Sequence, residues 1–147
     1  MKKKNTVITI LIILWLCLIF GHSMMPGEVS SEESGFFVDL ILNLFPSFEN
    51  AENVGFFVRK AAHFTEFMIL SILITLRLHD EFDSFIKRFL TVSAAGLFAA
   101  FIDETIQLFV EGRAGAVADM WVDFAGVVTG CLGVSFVMWI KNILIKK

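Results

Sequence analysis

Four stretches of this chain are apolar for too long, and with too few interruptions, to belong to a soluble domain: Thr6 to Met25, Ala61 to Leu78, Phe89 to Val110 and Met120 to Ile140. A bilayer core about 30 Å thick is crossed by about 20 mostly apolar helical residues, and a helix satisfies its own backbone polar groups there. The chain therefore reads as all-α, an integral membrane four-helix bundle forming one domain over residues 1–147. Composition agrees, with 56% hydrophobic residues, 17 Phe and no Tyr, against about 45–50% apolar in soluble domains even when Gly is counted. The second stretch carries His63 and Glu66, both within its first two turns. The first also has the marks of a signal peptide, with Lys2, Lys3 and Lys4 ahead of the apolar run and small Gly21 and Ser23 after it. It is carried forward as a spanning helix, and Leu16 before Cys17 is too bulky for a lipoprotein cleavage site.

Basic residues set the expected orientation. Lys2, Lys3, Lys4, Arg77, Lys87, Arg88, Lys141, Lys146 and Lys147 fall on one side, and only Arg59, Lys60 and Arg113 on the other. Both termini are thus expected in the cytoplasm and the segment 26–58 outside. This outer loop is acidic, yet Gly35 to Phe45 is mostly apolar, with Asp39 and Asn43 forming one narrow polar stripe. A short helix ending before Pro46 is expected, either interfacial or packed on the bundle. A formal charge of −3 without a basic tail leaves no electrostatic footprint for nucleic acid. Cys17 and Cys131 lie inside apolar runs and read as small buried apolar residues rather than a disulfide or a zinc site.

Ionisable side chains at membrane depth are costly and usually face protein. Helix 2 places Arg59, His63 and Glu66 on one face, with Lys60 beside them; helix 3 carries Asp103, Glu104 and Gln107; helix 4 carries Asp119 and Asp123. Ser23 closes helix 1, and Arg113 sits in the turn between helices 3 and 4. The expected topology puts all of them at the extracytoplasmic end, so one shared polar site is expected. Small residues along helix 3 (Ser93, Gly96, Ala100) and helix 4 (Gly126, Gly130, Gly133) would let backbones approach and bring the carboxylates together. A simpler reading also stands: Asp103 and Asp123 pair with Arg59, Lys60 or Arg113 and lock helix register. In that case His63 only hydrogen-bonds a carboxylate, Ser23 only ends a helix, and Arg59 and Lys60 are boundary anchors.

Taken in order, Phe20-x-x-Ser23-x-x-Pro26, Arg59-Lys60-x-x-His63-Phe64-x-Glu66-Phe67, Asp103-Glu104-x-x-Gln107-x-Phe109, Gly112-Arg113 and Asp119-x-x-x-Asp123-x-x-Gly126 resemble the VanZ-like family of small bacterial membrane proteins. The resemblance covers about Phe20 to Gly133. It implies a multi-pass protein of the bacterial cytoplasmic membrane, associated with lowered susceptibility to the glycopeptide teicoplanin, and brings no established reaction. Asp123 departs from the family pattern, where an Asn is usual.

Three functions follow as expectations. In the first, an outer pocket binds a lipid head group or a lipid-linked cell-wall precursor: Arg59, Lys60 and Arg113 hold phosphate or carboxylate, and Ser23, Glu104, Gln107, Asp119 and Asp123 complete the ligand-binding set. In the second, the chain is a membrane-embedded hydrolase or transferase with His63, Glu66 and Asp103 as catalytic groups. No cofactor is expected; a metal version would use His63, Glu66, Asp103 and Asp119 around a divalent ion. The third is a structural helix-bundle module. Transport is disfavoured, because the cytoplasmic halves of the helices show no polar path.

Overall fold

A computed structural model describes residues 2–45, 51–113 and 115–145, and every regular element in it is helical. The order is α1 (Lys2–Ser23), α2 (Gly27–Leu44), α3 (Ala51–Leu78), α4 (Phe85–Gln107) and α5 (Val117–Ile145). Helices α1, α3, α4 and α5 are long and apolar enough to cross a membrane, which makes the chain a multi-pass membrane protein. Its outer surface is apolar accordingly: Leu14, Phe98, Trp121 and Phe136 are all exposed, whereas Ser71 and Thr75 are buried between helices.

The helix limits differ from those expected. Helix α3 begins at Ala51 rather than Ala61, and Arg59, Lys60, His63 and Glu66 therefore lie two to four turns inside it. Nothing between Ala51 and Ala61 breaks a helix except Gly55, which costs only about 1 kcal/mol. At 1.5 Å per residue α3 is about 42 Å long, so its first turns extend past what the hydrocarbon requires. Helix α4 begins at Phe85 rather than Phe89, because Ser84 caps it and accepts from the Lys87 amide at 3.5 Å. Helix α5 runs from Val117 to Ile145, past both expected ends.

The expected outer loop is mostly helix α2. Pro26, with φ −53° and ψ 149°, precedes its first turn, and the Gly27 amide, which has no partner within the helix, donates to the Glu111 carbonyl at 3.0 Å. The loop between α4 and α5 is thereby fastened to the start of α2. Gly27 and Gly112 meet backbone to backbone: a Cβ on Gly27 would strike the Gly112 carbonyl, and Gly112 itself takes φ +73°. Helix α2 packs on α3, burying Ser30 and Ser34 and leaving Phe36 71% exposed. The serine edge faces protein, whereas Glu28, Glu32, Asp39 and Asn43 are exposed, as are Phe36 and Phe37. The connection expected around Pro46 lies outside the described residues.

Helix α3 is the centre of the bundle, packing against α1, α2, α4 and α5. The core joins Ile19, Phe67, Leu70, Val92, Ala100, Val127 and Cys131. Cys17, expected to be buried, is exposed instead. The glycines of α5 also do something other than expected. Gly126 lies against the backbone of Phe64 and Met68, and Gly130 against Met68 and Ser71, so this stripe brings α5 onto α3 rather than onto α4. Gly133 faces open space. Contact between α4 and α5 includes Gly96 against Val127.

Candidate functional site

Because the chain reverses at each turn, the end of α1, the early part of α3, the end of α4 and the start of α5 meet at one end of the bundle, with the start of α2 beside them. Asp103, Asp123 and Ser23 are the most deeply buried polar groups there, 0%, 1% and 1% exposed. Ser23 donates to Asp103 Oδ1 at 2.5 Å, and Gln107 Nε2 donates to Asp103 Oδ2 at 3.0 Å. His63 Nδ1 stands between the two carboxylates, 3.7 Å from Asp103 Oδ2 and 3.6 Å from Asp123 Oδ1. Among the described residues, neither oxygen of Asp123 has a hydrogen-bond partner, nor has His63 Nδ1. One ligand atom from each of His63, Asp103 and Asp123 lies within 4.8 Å of the others. This trio, from three helices, is the group among the described residues that could hold a metal.

Around it the other polar residues are tied elsewhere. Glu66 Oε1 lies 3.0 Å from His22 Nδ1, and Glu66 presents its carbonyl to Trp15 Nε1 at 2.9 Å. Asp119 pairs with Lys60, which also stands 5.0 Å from the centre of the Phe56 ring. Glu104 accepts from the Ala116 amide at 2.8 Å, closing the turn into α5. Arg113 donates to the His22 carbonyl at 3.0 Å and the Met25 carbonyl at 3.1 Å, anchoring that turn to the end of α1. Burial pulls its guanidinium down from its ordinary value, although an arginine stays charged regardless. Arg59 pairs with no carboxylate among the described residues.

The two arrangements that the sequence left open are both only partly met. Of His63, Glu66, Asp103 and Asp119, only the first and third meet within reach of one ion; Asp123 stands where Glu66 or Asp119 was expected. Asp103 and Asp123, for their part, pair with none of Arg59, Lys60 and Arg113, so the lock that forms is the shallower Lys60–Asp119 pair. His22 is the residue that sequence reasoning missed. Its ring stacks 6.3 Å from that of His63 and backs Glu66. A histidine next to Ser23, at the same end of an otherwise apolar helix, was the available signal.

Above the trio opens a polar cleft of about 270 Å³, lined by Arg59, Lys60, His63, Gln107, Arg113 and Asp119 among others. Ser30, Arg59, His63 and Arg113 also line a smaller chamber of about 160 Å³, which reaches Phe37, Val58 and Ala62. Those last three in turn line an apolar groove of about 520 Å³ between α1, α2 and α3, bounded by Trp15, Leu18, Ile41 and Phe57. Polar cleft, chamber and apolar groove thus adjoin in series, each sharing wall residues with the next.

Fold and site define a multi-pass membrane protein with a carboxylate-rich polar chamber at one end of its helix bundle. The model of the family described as VanZ/LLP1 matches residues 8–139. The chain belongs to this VanZ-like family over nearly its whole length. No curated protein and no solved structure matches it.

Proposed function

We propose that the chain binds the anionic head group of a membrane lipid or a lipid-linked cell-wall precursor in this cleft. The cleft would open on the extracytoplasmic face of the bacterial cytoplasmic membrane, and binding would alter how glycopeptides of the teicoplanin type meet their target. One observation carries the reading: polar cleft, Arg59 chamber and apolar groove lie side by side through shared wall residues, an arrangement that suits an amphiphile with a charged head and a long tail. Arg59 pairs with no carboxylate among the described residues, and a guanidinium suits bidentate contact with phosphate or carboxylate. Arg113 and Lys60 add positive charge at the same mouth. Phe37, Ile41 and Phe57 supply apolar surface for a chain leaving the head group. The positive-inside count supports placing this end outside.

The test uses protein in nanodiscs of neutral lipid, titrated with a polyprenyl diphosphate, with phosphatidylglycerol and with inorganic pyrophosphate. Arg59→Gln removes one charge-assisted hydrogen bond, about 1.5–3 kcal/mol, and is expected to weaken all three ligands at least about tenfold. Ala61→Trp, on the exposed side of the groove, is expected to weaken only the two with tails. If both variants bind like the wild type, the reading is wrong.

A further inference from the structure

We infer that His63, Asp103 and Asp123 form a binding site for one divalent transition-metal cation, of the zinc or manganese kind, on the floor of the polar cleft. The inference concerns the same chamber as the head-group reading, but it stands on observations of its own.

The first is an orphaned buried carboxyl group. Asp123 is 1% exposed, and neither of its carboxyl oxygens has a hydrogen-bond partner among the described residues. Buried carboxylates are otherwise found paired, hydrogen-bonded or bound to a metal. The second is geometry. A cation about 2.0–2.2 Å from nitrogen and oxygen ligands sets tetrahedral ligand-to-ligand edges of about 3.3–3.6 Å. His63 Nδ1 lies 3.6 Å from Asp123 Oδ1 and 3.7 Å from Asp103 Oδ2. These separations are too long for hydrogen bonds and close to the edge of a coordination shell. The third is the surrounding order. Asp103 is held by Ser23 and Gln107, the kind of outer contact that orients a metal-binding carboxylate.

Charge and donor type then narrow the ion. Two carboxylates and one neutral imidazole carry two negative charges, which a divalent ion balances. Mixed nitrogen and oxygen donors suit zinc or manganese better than the all-oxygen shells of calcium or magnesium. His63 and Gln107 also line the cleft, so coordination positions left free by the three ligands would face whatever the cleft holds. An ion there would add a positive charge beneath Arg59 and Arg113.

The experiment is metal retention and titration on the full chain purified in detergent. After stripping with a chelator, the protein is titrated with Zn²⁺ and, separately, with Mn²⁺ followed by electron paramagnetic resonance. The wild type is expected to take up one equivalent, with a rise in its thermal midpoint. Asp123→Asn, nearly isosteric, and His63→Gln are each expected to lose at least about 100-fold in affinity, more than the 10–100-fold expected for the outer-contact change Ser23→Ala. Glu66→Gln and Asp119→Asn, whose carboxylates pair elsewhere, are expected to bind like the wild type. No saturable uptake by the wild type overturns the inference, as does uptake unchanged in Asp123→Asn and His63→Gln. The head-group reading is tested apart from this, because Arg59→Gln leaves all three metal ligands in place. Metal uptake by the wild type without head-group binding overturns the head-group reading alone, and head-group binding without metal uptake overturns this inference alone.

Discussion

The packing of α5 on α3 makes a sharp demand at Gly126. A Cβ at that position would run into the Phe64 carbonyl oxygen and sit 3.1 Å from the Met68 amide nitrogen. Both obstacles are backbone, so no change of rotamer relieves them, and α5 would have to move off α3 by roughly 1 Å to restore ordinary contact. Gly126→Ala is therefore expected to destabilise the bundle by about 1–3 kcal/mol, the usual cost of overpacking. Gly133→Ala supplies the contrast, because its added methyl meets nothing within 4 Å; it is expected to be neutral or slightly stabilising, given the low helix propensity of glycine. The assay is reversible unfolding in mixed micelles, followed by helicity and by Trp fluorescence. Asp123 lies one turn before Gly126 on the same face, so the displacement also draws its carboxylate away from His63. Equal stability of the two variants would show that α3 and α5 are not in backbone contact, and the close approach on which the site depends would be refuted.

Two further outcomes are expected. In a background with Cys17 and Cys131 replaced, a membrane-impermeant thiol reagent added to whole cells should label a cysteine at Glu111 and miss one at Asp83; the reverse would move the polar cleft to the cytoplasmic face and remove its access to outer-leaflet ligands. His63→Ala and Asp103→Asn should accumulate in the membrane near wild-type level, measured by quantitative immunoblot, because neither change strands a buried Arg or Lys at the about 3–5 kcal/mol such a loss costs. Low abundance of both would mean that the cluster is chiefly structural.

Much of the bundle was legible because membrane spans are written in long apolar runs, and the placement of polar residues at one end followed from counting reversals of the chain. Helix starts were less legible. Arg59, Lys60, His63 and Glu66 looked like the opening of a span, whereas they lie well inside α3, because polar residues with good helix propensity prolong a helix as readily as apolar ones do. The glycine stripe of α5 announced close packing without naming its partner. Its three glycines lie at spacings of four and three, yet Gly126 and Gly130 face α3 while Gly133 faces outward. A helix turns about 100° per residue, so a small error in rotation decides which neighbour a residue meets.

The same sensitivity governs the carboxylates, and it bears on what the site is for. Asp119 and Asp123 are one turn apart on α5 and look equivalent in sequence. The first reaches the mouth, where Lys60 neutralises it; the second points below, where the described structure offers it only the approach of His63. A helix lock needs the first kind of contact, and the bundle has it at the mouth, while Glu104 fastens the α4–α5 turn by accepting the Ala116 amide. Asp123 adds nothing to that locking. A buried, unpaired carboxylate weakens a fold unless something compensates it, and the groups around it are oriented rather than neutralising: Ser23 and Gln107 are spent on Asp103, and His22 on Glu66. A cation on the cleft floor would offset that cost, and an anion above it would meet Arg59, which pairs with no carboxylate among the described residues. Metal and head group would then meet across the cleft, the ion from the side of the carboxylates and the ligand from the side of the arginines.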